Sequence, residues 1–199
     1  VLSGAAAGRA AGRALHARPV ADQRKVTALA ARIALEALRL IIANLAIAYT
    51  DGTRLEARGK MQLAALMGAT AFQKGLGMVH SMAHPLSAEY DIHHGLANAL
   101  LLSDSLAFLE NSHLNQDRRD KLKTIQALFQ STDYKASRLS DTLKTFINSF
   151  NIDIGLHKHG VQNTDLPHLS QLAFEDECHK DNMIPVSERD LLKVYKAAF

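Results

Sequence analysis

Residues 75–85 read Gly75-Leu76-Gly77-Met78-Val79-His80-Ser81-Met82-Ala83-His84-Pro85. The chain continues at residue 90 with Tyr90-Asp91-Ile92-His93-His94-Gly95-Leu96-Ala97-Asn98-Ala99. Met78 to His84 predicts a helix on which His80 and His84 stack on one face, roughly 6 Å apart along the axis. Pro85 has no N–H to donate, so this helix is expected to stop near it or to restart around it. Leu86 to Ile92 is then expected to turn the chain, and His94 to open the next helix. Imidazole suits zinc, iron, copper and nickel, and a catalytic metal site commonly has three protein ligands and an open position. Spacing alone does not decide the matter. His-x-x-x-His pairs arise by chance, and residue 81 is Ser, not the Glu of the zinc-protease motif.

Outward from this stretch the pattern is helical throughout. Leu29, Ile33, Leu38, Ile41 and Leu45 form a long apolar face ending at Asp51-Gly52, and Met61, Leu66 and Met67 mark a helix from about Leu55 to Phe72. Leu96, Ala97, Leu100 and Leu101 predict a buried helix from His94 to Leu109. Further helices are expected around Leu122, Ile125 and Phe129, around Leu139, Leu143, Phe146 and Phe150, and around Leu166, Leu169, Leu172 and Phe174. Ser187-Glu188-Arg189-Asp190 resembles a capping box with Asp in place of Glu, opening a last helix through Val194 and Tyr195. No convincing strand alternation is present. The fold class read from the chain is all-α, a multi-helix bundle.

A chain of 199 residues with 47% hydrophobic content can bury a substantial core in one soluble domain. The single cysteine, Cys178, excludes an internal disulfide and fits a reducing cytoplasm; it reads as a buried structural thiol. The first thirty residues hold ten Ala and three Gly, and five cations there against Asp22 leave the remainder of the chain near −1. The apparent pI of about 9.0 therefore comes largely from this zone and argues weakly for nucleic acid. No secretory h-region is present, and no stretch is read as reaching the ~20 apolar residues of a membrane span. His157 and His159 are expected in an exposed loop, and His113, His168 and His179 at the surface or at helix ends.

The stretch from Gly75 to Leu102 resembles the signature of the iron-containing (group III) alcohol dehydrogenases. Gly75, Gly77, His80, His84, Pro85, Tyr90, His94, Gly95, Asn98 and Ala99 stand in the family's order. The resemblance extends upstream through Asp51-Gly52 and Glu56-Ala57-Arg58. Downstream it runs through Gly160-Val161, Asp165-Leu166 and Asp176-Glu177-Cys178-His179 to Asp190-Leu191-Leu192. It implies a helical metal-binding domain (dehydroquinate synthase-like) over residues 27–199. It also implies His80 and His94 as metal ligands, and His84 as a histidine beside metal and nicotinamide that relays a proton. Position 93, commonly proline in the family, is His here; spacing from His80 favours His94 as the ligand.

The resemblance implies a divalent metal, iron first and zinc as the alternative. It further implies NAD(P) and an alcohol interconverted with an aldehyde or ketone. A homodimer is an option, and composition and charge pattern point to neither nucleic acid nor membrane as partner. Two family features are missing. No Gly-x-Gly-x-x-Gly follows an expected strand, so no nucleotide-binding domain and no cofactor-binding residue can be named. The family's Asp-x-x-x-His ligand pair would fall at Gly12 and His16, and His16 is not assigned. Residues 1–26 are expected to be a non-family segment, irregular or mis-translated. The fragment is accordingly expected to be inactive alone. A non-catalytic helical module that binds metal weakly or pairs with a full-length subunit is the alternative.

Overall fold

The computed structural model describes residues 20–72 and 75–199, with side chains from residue 28 onward. Its helices are α1 Val20–Thr50, α2 Leu55–Ala71, α3 Met78–Tyr90, α4 His94–Glu110, α5 Gln116–Ala127, α6 Leu139–Asn148, α7 Leu166–Glu175 and α8 Glu188–Ala198. Short 3₁₀ turns at Leu156–His159, Asn163–Asp165 and Glu177–Asp181 connect the later helices. No strand occurs among the described residues, and the all-α reading stands. His16 and most of the Ala/Arg-rich zone lie outside the described residues. Helix α1 runs through the 26/27 boundary drawn from composition.

The main core joins α3, α4, α7 and α8 through Met78, Met82, Leu86, Leu100, Leu101, Leu169, Leu191 and Tyr195, each essentially inaccessible to solvent. Every such Leu or Met contributes about 1.5–3 kcal/mol by leaving water. Tyr195 buries its ring here and satisfies its hydroxyl by donating to the Met82 carbonyl at 2.6 Å. A second cluster gathers Leu122, Phe129, Leu139 and Phe146, with Phe146 packed edge-on against Phe129, Tyr134 and Phe150. Ile41, Ile42 and Leu45 of α1 lean on that cluster. Helices α1 and α2 pair with each other through Ala37, Leu40 and Ala64, the two alanines facing each other's helix as small residues that fit a close approach.

Two expectations change and a third is narrowed. The helix of the histidine pair does not break at Pro85 but runs on to Tyr90, and the chain turns only over residues 91–93. Interior proline costs about 3 kcal/mol, yet Pro85 and Leu86 are both buried, and continuing the helix is what seats Leu86 in the core. Residues 28–50 of α1, with mean hydropathy 1.6, are long and apolar enough to cross a membrane by length and composition alone. Counting uninterrupted apolar residues missed this because Arg32, Glu36 and Arg39 break the run. Of the two places expected for His179, the surface is excluded and the helix end holds, since it meets a last-turn carbonyl of α7. It is buried, stacked on Phe174 at 4.9 Å, with Nε2 2.9 Å from the Phe174 carbonyl.

Candidate metal centre

Glycine geometry sets the entry to α3. Gly75 has φ +121°, a conformation that favours glycine, and a Cβ there would overlap the Asp181 carboxylate. Gly77 is the extended N-cap of α3, and a Cβ on it would lie 3.1 Å from Asn182 Oδ1. The start of α3 thus seats against the 177–182 turn, and the Met78 N–H donates to Asn182 Oδ1 at 3.4 Å. Met78, Met82, Ala83 and Leu86 take the buried side of α3, leaving His80 and His84 half-buried on another.

Three residues suffice to reverse the chain after Tyr90, because Asp91 adopts the left-handed conformation (φ 53°) that ends α3. That turn swings His94, first residue of α4, over the α3 pair. Ring centroids are 5.4 Å apart for His80 and His94, 5.2 Å for His84 and His94 and 6.2 Å for His80 and His84. Two imidazoles sharing one ion at about 2.1 Å per Fe–N or Zn–N bond stand about 5 Å apart, centre to centre, in tetrahedral geometry. The His80–His94 separation therefore fits a shared divalent ion, and the nitrogen donor set suits iron or zinc. His93 caps α4 instead: its Nδ1 accepts from the Gly95 N–H at 3.2 Å. Asn98 Nδ2 lies 3.2 Å from His94 Nε2 and donates to the His94 carbonyl at 2.8 Å, while its own Oδ1 is buried without a partner.

Burial, together with His94 and His84 nearby, lowers the His80 imidazole below its ordinary pKa against an opposing pull from Asp176. The neutral ring that results is the ligand form. His84 Nδ1 sits 2.8 Å from Asp176 Oδ2, and the other oxygen of Asp176 accepts from Ser81 Oγ at 2.9 Å and from the Cys178 N–H at 2.7 Å. Burial pushes the Asp176 carboxyl up, but the hydrogen bonds from His84, Cys178 and Ser81 outweigh it and hold the group well below the usual carboxylate range. Burial and Asp176 push the Cys178 thiol up to about 11, which favours the protonated thiol over the thiolate.

Asp176 and Cys178 were not singled out from the chain as site residues. Cys178 is half-buried beside the histidines, not a core thiol. The available signal was an Asp-x-Cys just past a helix, within the downstream part of the resemblance. The second histidine pair spends its nitrogens on backbone carbonyls: His157 Nδ1 on Phe199, and His159 Nε2 on Asp153 at 2.7 Å. The pair sits on a 3₁₀ turn, with His157 exposed as expected and His159 half-buried. Cavities of about 470 and 180 Å³ lie at the α1–α2 turn and between α4 and α8, and neither is lined by the histidines.

Residues 21–199 match the Fe-containing alcohol dehydrogenase family, C-terminal. The 1,3-propanediol dehydrogenase of Citrobacter freundii is 31% identical over 180 residues, covering 83% of this chain and 43% of that protein. The NAD-dependent methanol dehydrogenase of Bacillus methanolicus is 30% identical over 83% of this chain and 44% of its own length. A crystal structure of 1,3-propanediol oxidoreductase superposes with a TM-score of 0.71 at 29% identity, over 86% of this chain and 45% of that one. The chain thus spans under half the length of the relatives it matches. With three converging imidazoles in the same helical frame, the chain belongs to the Fe-containing alcohol dehydrogenase family and corresponds to its C-terminal domain.

Proposed function

We propose that this chain is the helical, metal-holding half of an alcohol dehydrogenase that interconverts a small alcohol and its aldehyde or ketone with NAD(P). The observation that carries the reading is the meeting of His80, His84 and His94 from two successive helices. His80 and His94 are the metal ligands. When bound, ferrous iron or zinc supplies Lewis-acid polarisation of the substrate oxygen. His84 lies beside them and passes a proton between substrate and solvent, while Asp176, braced by Ser81 and the Cys178 N–H, holds its ring in place. Residues 27–199 form the metal-binding domain in this reading, and the single cysteine fits a reducing cytoplasm.

A second reading, a module that pairs with another subunit, draws on α1 and α2. These helices and their flanks carry Leu29, Ile47, Tyr49, Leu55, Leu63, Leu66 and Phe72 exposed, a concentration typical of surfaces that bind a partner.

The test is a zinc titration of the chain in a Cys178→Ser background, which silences the neighbouring thiol. His80→Ala and His94→Ala are each expected to weaken binding at least tenfold, whereas His84→Ala changes it little. Affinity indifferent to both ligand substitutions sinks the assignment. The same preparations, loaded with iron or zinc, are expected to reduce aldehydes with NAD(P)H only marginally, and robust turnover would overturn the fragment reading.

A further inference from the structure

We propose that His84, Asp176 and Cys178 form a second cation site, separate from the His80/His94 pair, which takes a borderline-soft divalent ion of the zinc type. One nitrogen of His84, a carboxylate oxygen of Asp176 and the sulfur of Cys178 all lie within 4.8 Å of one another, and all three residues are half-buried. The 2.8 Å between His84 Nδ1 and Asp176 Oδ2 is a hydrogen bond, and it need open only to about 3.3 Å for both atoms to bind one tetrahedral ion at about 2.0–2.1 Å from each. An N, O, S donor set selects zinc over magnesium or calcium, which take oxygen alone.

The frame is built and locked independently of any ion. Asp176 Oδ1 accepts from Ser81 Oγ and from the Cys178 N–H, so Oδ2 is left facing His84. Ser81 is fully buried on α3, and His179, one residue past the cysteine, is anchored on Phe174. Binding replaces the Cys178 S–H proton, released to solvent, with a sulfur–zinc bond; a proton on His84 Nδ1 moves to Nε2 so that Nδ1 offers its lone pair. Carboxylate and thiolate together then offset the double charge of the ion. On the function proposed above, an ion here would draw His84 from its relay, making zinc beyond that held by His80 and His94 an inhibitor; the site itself does not depend on that function.

Cobalt(II) is the probe, added to the full-length chain without air, because a cobalt–thiolate bond shows a near-ultraviolet charge-transfer band and an all-nitrogen site does not. The band is expected in the wild-type chain and in a His80→Ala/His94→Ala variant with affinity changed less than twofold. Cys178→Ser is expected to lose it, and Asp176→Asn to weaken it at least tenfold. Absence of the band in the wild type, or its loss with His80 and His94, overturns a separate site. A measurement needing no variant is alkylation of Cys178, expected to slow at least tenfold on adding zinc; an unchanged rate also overturns the proposal. In the Cys178→Ser background the His80→Ala and His94→Ala losses report on that pair, whereas the cobalt–thiolate band reports on Cys178, so either site can fail without the other.

Discussion

Gly75 shows how one residue positions the centre. Its φ of +121° and the Asp181 carboxylate occupying the place of a Cβ leave no room for a side chain. Gly75→Ala is expected to cost about 1–3 kcal/mol, combining backbone strain with displacement of Asp181. Urea denaturation would measure it, and an unchanged midpoint would refute the packing argument. The same residue illustrates what was legible. Gly75 and Gly77 could be read as a helix junction from their types, but not the Asp181–Asn182 turn they fit against. His80, His84 and His94 could be picked out because two share a helix face and the third opens the next helix. Asp176 reaches His84 across 92 residues of chain, and no local pattern specifies such a partner.

Among the helices, α8 realises its expected start in full. Ser187 Oγ accepts from the Asp190 N–H at 3.3 Å, and the Asp190 carboxylate accepts from the Ser187 N–H at 3.2 Å. Ser187→Ala is expected to cost about 1 kcal/mol in chemical denaturation. The ammonium of Lys193 and the hydroxyl of Ser187 lower the Asp190 carboxyl to about 2 from its ordinary 3.8. Because the folded value is the lower one, this contribution is complete above about pH 4 and is lost as pH falls through 2. Asp190→Asn should flatten that part of the stability profile relative to wild type, and parallel profiles would count against it. Helix α3 teaches the converse, since local rules predicted an interruption at Pro85 and the burial of Pro85 and Leu86 overrode it.

Across the whole molecule, burial is uneven. Helices α3, α4, α7 and α8 enclose the main core, whereas α1 and α2 with their flanks carry most of the large apolar side chains left exposed. Leu101, fully buried, and Leu66, 65% exposed, should therefore respond very differently to truncation. Leu101→Ala is expected to destabilise the chain by about 2–5 kcal/mol and Leu66→Ala by less than about 0.5. Equal losses in thermal or urea melts would mean that the α1–α2 surface is covered in solution.

Helix periodicity and capping residues are local properties, which is why the amino-acid order by itself determined the all-α class and the order of the helices; the family was legible through the resemblance carried by Gly75 to Leu102. Only the tertiary structure decided that α3 runs through Pro85, that His93 caps α4 beside His94, and that Asp176 and Cys178 meet His84. Those outcomes depend on which faces share a core, and apolar burial is non-directional. It shows that Met82, Leu86 and Leu101 go inside without saying which distant carboxylate or thiol that packing carries to the histidines.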